Sequence, residues 1–249
     1  MQSLTDKYRP DRLDAFAGLG HAKRLLSKLR DNPWESAWIL VGDSGTGKTT
    51  MALATAAEMG AEVHHIASRQ CDLEIVERTV HNCFYTPFIG EWHVVLVDEA
   101  DQMTRAAQLC FLSKLDSTAR PPKTIFFFTA NETKLLEKRF LSRCRLIRFE
   151  GCRHAEEGAA FLRRVWTTEA PDREPPDLAA LLERNEYNLR GCLNDLEMEL
   201  LAPGSLPQPT PPAPGVVPIR RVVDPNENPR RASALKAWET IRARRAAGG

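Results

Sequence analysis

A glycine-rich stretch at residues 42–50 constrains this chain more than any other feature. It reads Gly-Asp-Ser-Gly-Thr-Gly-Lys-Thr-Thr, follows the apolar run Trp38–Val41, and precedes a helix-forming run that begins at Met51. A glycine, four residues and then Gly-Lys-Thr between a strand and a helix is the pattern of a phosphate-binding loop. Its glycines let the backbone approach a phosphate so closely that successive N–H groups converge on the anion. The sequence therefore predicts an α/β fold that binds a nucleoside triphosphate.

Two side chains of this loop have predicted roles of their own. Lys48 is expected to reach the β- and γ-phosphates, and the hydroxyl of Thr49 is expected to coordinate Mg²⁺. The complete predicted phosphate cradle comprises Gly42, Asp43, Ser44, Gly45, Thr46, Gly47, Lys48, Thr49 and Thr50.

A second predicted strand ends in two carboxylates. The apolar run from Trp92 to Val97 is followed directly by Asp98 and Glu99. The carboxyl ends of buried parallel strands face the ligand in nucleotide-binding sheets, which would place both carboxylates beside the phosphates. We expect Asp98 to hold Mg²⁺ through its water shell, and Glu99 to orient and deprotonate the attacking water. A solvated loop is the alternative interpretation of such a pair.

A third predicted strand begins at Lys123 and ends at Asn131. In a parallel sheet Asn131 would lie beside the γ-phosphate, where its amide can hold the attacking water. An ordinary turn residue is the alternative. From residue 151 the pattern becomes helical, with helices predicted at Glu156–Thr167, at Pro176–Arg184, and from an N-cap at Asn188 to Leu201.

Composition excludes several classes of protein. No apolar run approaches the ~20 residues of a membrane span, and the N-terminus lacks the apolar core of a secretion signal. The chain has 6 cysteines without a Cys-x-x-Cys pair, which predicts a reducing cytoplasmic location and gives no metal site. The formal net charge is only +1, so any DNA contact must come from a local stripe or from several subunits together.

Two adjacent histidines lie on a short predicted strand over residues 61–68. Side chains of neighbours on a strand point to opposite faces, so His64 and His65 cannot converge on one ion. A metal normally needs three or four convergent ligands. We therefore expect both histidines to have structural roles.

Motifs at both ends of the predicted sheet resemble a known family. Lys7-Tyr8-Arg9-Pro10 followed by Phe16-Ala17-Gly18, and the triplet Ser142-Arg143-Cys144 before a strand, are similar to signatures of the clamp-loader ATPases, the replication factor C type within the AAA+ superfamily. The resemblance covers roughly residues 6 to 201. It implies ATP and Mg²⁺ as ligands, a parallel sheet flanked by helices, and a small all-helical lid domain after it.

The resemblance also implies roles for individual residues. Tyr8, Arg9 and Pro10, with the backbone at Phe16 and Ala17, would contact the adenine base. Asn131 occupies the first sensor position, and Arg190 matches the second sensor, which touches the γ-phosphate from the lid. Arg143 would reach into the ATP site of the next subunit. An ordinary surface arginine is the alternative interpretation of Arg190.

The chain departs from the family pattern at several places. Leu19 stands where glutamine is usual, and Glu77 stands where a basic residue faces DNA. Ser113-Lys114 replaces an arginine pair that in the family meets the neighbouring subunit's nucleotide, so at most Lys114 keeps that role. A solvated lysine is the alternative interpretation of Lys114. The 46 residues from Gly204 to Gly249 are too few and too rich in proline for the helical collar domain of the family.

These features predict three regions. Residues 1–150 would form the nucleotide-binding domain, residues 151–203 the lid, and residues 204–249 a Pro-rich linker with a basic tail. The expected function is that of an ATP-hydrolysing clamp-loader subunit, which assembles with other AAA+ subunits and loads a sliding clamp onto primed DNA without contacting a membrane. The alternatives are another DNA-remodelling AAA+ ATPase, of helicase-loading or branch-migration type, and a non-hydrolysing interaction subunit that binds nucleotide.

Overall fold

The computed structural model of the chain describes residues 2–67, 71–116, 118–149, 155–204 and 206. The predicted Pro-rich tail at 204–249 lies outside these residues, apart from Gly204 and Leu206. The strands are β1 (Ser36–Gly42), β2 (Glu62–Ile66), β3 (His93–Val97), β4 (Thr124–Ala130) and β5 (Arg145–Phe149). The helices are α1 (Leu4–Lys7), α2 (Gly20–Asp31), α3 (Lys48–Glu58), α4 (Leu73–Asn82), α5 (Arg105–Lys114), α6 (Lys138–Leu141), α7 (Ala155–Glu169), α8 (Leu178–Arg184) and α9 (Leu189–Leu201).

The five strands pair in parallel in the order β2-β3-β4-β1-β5. Every residue of β3 and β4 is buried, because helices cover both faces of the sheet. The predicted α/β fold with a parallel sheet flanked by helices is therefore confirmed.

Alternate residues of the central strands supply two separate cores. On one face Ile39, Val95 and Phe128 pack with α4, α5 and α6. On the other face Leu40, Leu96 and Phe127 pack with α2 and α3. This division follows from the period of two in a strand, which sends neighbouring side chains to opposite faces.

A third core joins α7, α8 and α9 to the short first helix. Leu4 of α1 packs with Leu162, Trp166, Leu193 and other apolar residues of the three helices. The N-terminal segment thus begins in the helical unit and only then crosses to the sheet.

Caps set the starts of two of these helices. The Asp177 side chain accepts from the backbone N–H groups of Ala179 and Ala180, so α8 begins at Leu178, and the predicted start at Pro176 was wrong by two residues. The predicted N-cap at Asn188 is confirmed, because its side chain accepts from the N–H groups of Arg190 and Gly191.

The aromatic centre of the first core gives a test of this packing. Phe128 is 0% exposed, and its ring lies edge-on to Phe111 at 5.1 Å and to Phe140 at 4.8 Å. We expect Phe128→Ala to lower the free energy of unfolding by about 3–5 kcal/mol, since it removes buried area and leaves a cavity. Urea denaturation measures the loss.

Phe88→Ala is the matched control for this substitution. Its side chain is 98% exposed, so the free energy of unfolding should change by no more than about 0.5 kcal/mol. Equal losses in the two variants would contradict the packing described here.

Candidate nucleotide-binding site

The candidate site lies at the carboxyl edge of the sheet, where three central strands end. In the register of β1 and β4, Val41 pairs with Ala130, so the phosphate loop and Asn131 leave the sheet side by side. On the other side of β1, Gly42 pairs with Phe149, and a Cβ at Gly42 would collide with the Phe149 backbone. Glycine is thus required where the loop leaves the sheet.

Lys48 is held at the centre of the loop by three oxygen atoms. Its Nζ donates to the carbonyls of Gly42 at 2.6 Å and Asp43 at 2.9 Å, and to Oδ1 of Asn131 at 3.1 Å. The residue is only 8% exposed, and burial lowers the pKa of its ammonium group. The arrangement brings together two residues that the sequence assigns to the γ-phosphate.

Asp98 is the centre of a second group of polar contacts. Its Oδ1 accepts from the hydroxyls of Thr49 at 2.6 Å and Thr129 at 3.0 Å. Its Oδ2 lies 2.6 Å from Nε2 of His65. The expected pair of Thr49 and Asp98 is therefore in contact, and two further residues complete its surroundings.

These oxygen atoms suit a magnesium ion. Mg²⁺ prefers oxygen ligands and is usually held by one or two protein groups, with waters and substrate phosphates filling the remaining positions. The Thr49 hydroxyl and the Asp98 carboxylate converge beside the phosphate loop and supply ligands of that kind. These residues fit the ion that the sequence predicts.

The two acidic residues after Asp98 have different environments. Glu99 has an exposed side chain and a left-handed backbone with φ of 47°, and its N–H donates to Oγ1 of Thr129 at 3.0 Å. Asp101 is buried and accepts from the Asn131 N–H at 3.1 Å through Oδ2. Its Oδ1 has no hydrogen-bond partner among the described residues. Asp101 thus fixes the backbone of Asn131, while Glu99 faces the solvent side of the site.

Helix α9 reaches the phosphate loop through its N-cap. Nδ2 of Asn188 donates to the carbonyl of Ser44 at 2.9 Å. Gly45 has a φ of 80°, and a Cβ at this position would lie 2.5 Å from Oδ1 of Asn188. Asn188 therefore has a contact with the loop in addition to its capping role.

A cavity of ≈ 190 Å³ lies beside the loop where the base of a nucleotide is expected. Its lining includes Tyr8, Arg9, Pro10, Phe16, Ala17 and Arg190. A neighbouring cavity of ≈ 320 Å³ is lined by Lys48, Thr49, Asp98, Glu99, Asn131 and again Arg190. Arg190 is thus exposed to both the predicted base and the predicted phosphate positions.

Contacts of the N-terminal segment fix one wall of the first cavity. The Tyr8 hydroxyl donates to Glu169 at the end of α7, and Nζ of Lys7 lies 2.8 Å from the same carboxylate. The hydrogen bond from Lys7, and then that from Tyr8, lowers the pKa of Glu169. The Phe16 carbonyl accepts from Nζ of Lys23 at 2.9 Å, so this predicted base contact already has a protein partner.

Two predicted intersubunit residues lie elsewhere. The Arg143 guanidinium donates to Asp116 at 3.1 Å and to the Arg139 carbonyl at 3.2 Å. Neither Arg143 nor Lys114 is among the described residues that line the two cavities. The structure does not bring either of them to the site of their own chain.

Sequence reasoning missed His65, Thr129 and Asp101 as parts of the site. Thr129 lies on β4, two residues before Asn131, and its position near Asp98 follows only once the register of β3 and β4 is known.

The aromatic loop, residues 84–90, was not predicted from the sequence either. It exposes Phe84, Tyr85, Phe88 and Ile89, a run in which apolar side chains face solvent.

Comparison with known proteins agrees with this geometry. The model of the AAA family, ATPases associated with various cellular activities, matches residues 38–151. This part of the chain is similar to the AAA family of ATPases. The replication factor C large subunit of Methanothrix thermoacetophila is 32% identical over 213 residues, which cover 79% of this chain and 44% of that protein. The replication factor C small subunit of Thermofilum pendens is 28% identical, over 77% of this chain and 61% of that protein.

These AAA relatives confirm the predicted resemblance to clamp-loader ATPases. The chain spans about half the length of the curated relatives it matches. Among solved structures, the RuvB Holliday junction branch migration motor of Thermotoga maritima has the same fold, with a TM-score of 0.62 and 20% identity over 78% of this chain and 67% of that one. Among the described residues no helix is long and apolar enough to cross a membrane.

The contact between Gly45 and Asn188 can be tested with a matched pair of alanines. Gly45 and Gly60 both have positive φ, at 80° and 61°, but only Gly45 has a neighbour that a Cβ would meet within 4 Å. We expect Gly45→Ala to weaken binding of a fluorescent ATP analogue by about tenfold or more, because it strains and displaces the loop. Gly60→Ala should bind like the parent chain.

A second substitution separates collision from backbone strain. Combining Gly45→Ala with Asn188→Ser shortens the colliding side chain and keeps a good N-cap residue. Part of the lost affinity should return. Equal affinity of the Gly45→Ala and Gly60→Ala variants would show that the contact does not shape the loop.

Proposed function

We propose that this chain is an ATP-hydrolysing subunit of clamp-loader type. In this proposal it assembles with neighbouring AAA+ subunits, of the same or another kind, and loads a sliding clamp onto primed DNA. The observation that carries the proposal is the meeting of Lys48, Asn131 and the Thr49–Asp98 pair at one edge of the sheet. This is the set of groups that phosphoryl transfer requires, namely a cation for the phosphates, a water-positioning amide and oxygen ligands for a metal.

The lysine and the amide would act on the γ-phosphate. When ATP is bound, its phosphates replace the Gly42 and Asp43 carbonyls as acceptors for Lys48. The Asn131 amide is then free of the lysine and can hold the attacking water. Asp101 accepts from the backbone N–H of Asn131 and so keeps this residue in position. The side-chain amide of Asn131 is therefore in place before ATP binds.

The carboxylates have separate tasks in this mechanism. Thr49 and Asp98 would hold Mg²⁺, which neutralises charge on the β- and γ-phosphates when bound. Thr129 and His65 orient the Asp98 carboxylate. Glu99 lies beyond Asp98 at the same cavity and would take the proton from the attacking water.

Arg143 is proposed to complete the site of the adjoining subunit. It lies outside the two described cavities, and its contacts with Asp116 and the Arg139 carbonyl are ones that a stronger anion can replace. A cation supplied in trans is worth ~10³–10⁵ in turnover in other NTPases. An isolated monomer should therefore hydrolyse ATP poorly. Lys114 is a weaker candidate for a similar role.

Three contacts would couple the nucleotide to the helical unit, which we propose as the lid. Arg190 reaches the phosphate cavity, Asn188 contacts the loop, and Tyr8 is bonded to Glu169 at the end of α7. Binding of the base against Tyr8 and of the γ-phosphate against Arg190 would therefore bias the orientation of α7–α9. The proposed division at residue 150 places these helices in a lid of residues 151–203.

The proposed partners follow from the relatives rather than from charge. The net charge of +1 gives no general attraction to DNA, so DNA binding would require several subunits side by side. The aromatic loop offers an exposed apolar surface of the kind that protein partners bind.

The proposed cytoplasmic location agrees with the cysteines. Free thiols are usual in a reducing compartment, and the structure describes five of them, at Cys71, Cys83, Cys110, Cys144 and Cys192.

A second candidate function is DNA remodelling of branch-migration type, which the fold of RuvB favours. A third is a nucleotide-dependent interaction subunit that does not hydrolyse ATP, for which Ser113-Lys114 in place of an arginine pair is the motivating feature. The type of DNA that stimulates turnover separates the first two. Primed template DNA should stimulate a clamp-loader subunit, and four-way junction DNA should stimulate a branch-migration motor.

Loss of Glu99, the proposed general base, should remove most of the ATP turnover without preventing ATP binding. We expect Glu99→Gln to lower the rate of phosphate release about 10²–10⁴-fold, with little change in affinity for a fluorescent ATP analogue. Glu183→Gln, an exposed acid on α8, is the control and should leave both quantities unchanged. A Glu99→Gln variant that equals the parent in turnover would remove Glu99 from the mechanism.

Mixing two inactive variants tests whether Arg143 acts between subunits. Lys48→Ala has a defective nucleotide site and an intact Arg143, whereas Arg143→Ala has the reverse. Each alone should be inactive, and their mixture should recover a measurable fraction of turnover, which rises with protein concentration. Arg139→Ala, which removes an exposed arginine of α6, the helix that ends just before Arg143, should behave like the parent chain.

The mixing experiment has two contrary outcomes. Full activity of Arg143→Ala alone would remove the residue from catalysis. If the turnover per subunit of the parent chain did not change with protein concentration, a site shared between subunits would be contradicted over the concentrations measured.

A further inference from the structure

Three potential metal ligands meet near the amino-terminal ends of β2 and β3, at the opposite edge of the sheet from the nucleotide site. They are one ring nitrogen each of His64 and His93 and Sγ of Cys83, which all lie within 4.8 Å of one another. The residues come from three elements, since His64 is on β2, His93 begins β3 and Cys83 directly follows α4. The fold, rather than any short motif, assembles this cluster.

The hydrogen bond of His93 directs its free lone pair into the cluster. Its ring is 3% exposed, and Nε2 lies 2.9 Å from the Tyr85 carbonyl. A carbonyl only accepts, so Nε2 carries a proton, and Nδ1 is the nitrogen whose lone pair a metal could use. Donation of the other ring N–H to a backbone carbonyl is the usual outer support of a metal-binding histidine.

A carboxylate completes the set of ligands. Oε1 of Glu62 lies 4.0 Å from Nε2 of His64, and Oε2 lies 3.9 Å from Nδ1 of His93. Oε2 also accepts from the Phe88 N–H at 2.6 Å, which holds the carboxylate in place. The carboxylate of Glu62 thus lies beside the two imidazoles of the cluster.

We propose that His64, Cys83, His93 and Glu62 bind a zinc ion. Thiolate and imidazole ligands favour zinc over magnesium or calcium, which prefer oxygen. Tetrahedral zinc needs ligand atoms about 3.3–3.6 Å apart, so the groups must approach one another by about 1 Å. Nε2 of His64 is already 3.0 Å from Nδ1 of His93. Without the ion, His64 donates to His93, and the Cys83 thiol donates to the Thr79 carbonyl at 3.3 Å.

Zinc binding would exchange a proton for the metal. The thiolate is the form that coordinates, so the Cys83 thiol would release its proton on binding.

The ion would fix the base of the aromatic loop. Cys83 immediately precedes the loop, His93 follows it, the carbonyl of Tyr85 is bound by His93, and the N–H of Phe88 is bound by Glu62. The ligands therefore hold both ends of a segment that exposes four apolar side chains. Zinc binding would replace the purely structural role that the sequence predicts for His64. The zinc proposal does not depend on ATP hydrolysis.

Metal analysis and cobalt spectroscopy test the proposal. The full chain, purified without chelator and dialysed against metal-free buffer, should retain about one equivalent of zinc. After removal of zinc with a chelator, added Co²⁺ should give the near-ultraviolet thiolate band and the visible bands of a tetrahedral site. Zinc should raise the melting temperature of the stripped chain.

Matched variants assign the signals to this cluster. His64→Ala and Cys83→Ser should weaken Zn²⁺ binding by more than the 10–100-fold that loss of an outer partner costs. His81→Ala, an exposed histidine of α4, and Cys110→Ser, a cysteine outside the cluster, should bind like the parent chain. If Cys83→Ser does not fold, the parent chain and His64→Ala decide the question.

Two results would overturn the zinc site. The first is a parent chain that retains no zinc and gives no Co²⁺ thiolate band at millimolar Co²⁺. The second is equal zinc affinity in the parent chain and His64→Ala, which would assign the metal to other residues.

Discussion

The parallel pairing of β1 with its neighbours β4 and β5 is the constraint on which the remaining structure depends. It places the phosphate loop in the middle of the sheet, with Asn131 on one side and Phe149 on the other. A displacement of β1 by one residue would turn its side chains to the wrong faces and remove Lys48 from Asn131. The two cores, which take alternate residues of the same strands, therefore fix the geometry of the site as well as the stability of the fold.

Charged groups at the carboxyl edge are tolerated because each has a partner or access to solvent. Lys48 is largely buried, and its charge is compensated by two carbonyls and an amide. Asp98 receives hydrogen bonds from two hydroxyls. Under the proposed function a triphosphate and a cation would offer the same atoms charge-assisted contacts, which are stronger, so the site would exchange partners without rebuilding its backbone. Such preorganisation is what electrostatic catalysis requires.

Much of this site could be predicted because it lies in short motifs beside strands. The loop at 42–50, the pair after Val97 and the polar residue after β4 follow from the rule that ligands bind at the carboxyl ends of parallel strands. His65 and Asp101 could not be assigned in this way, since their contacts depend on the register of β2 and β3 and on the turn after Glu99. The cluster of His64, Cys83 and His93 was hidden for a similar reason. Its members are separated in the sequence and meet only when the sheet and α4 are packed.

The pairing of Gly42 with Phe149 has a mechanical consequence. The backbones of Gly42 and Phe149 are so close that the phosphate loop cannot shift without displacing the last residue of β5. The end of β5 is therefore tied to the loop, and a change of loop position on nucleotide binding would be passed to the edge of the sheet rather than absorbed within the loop.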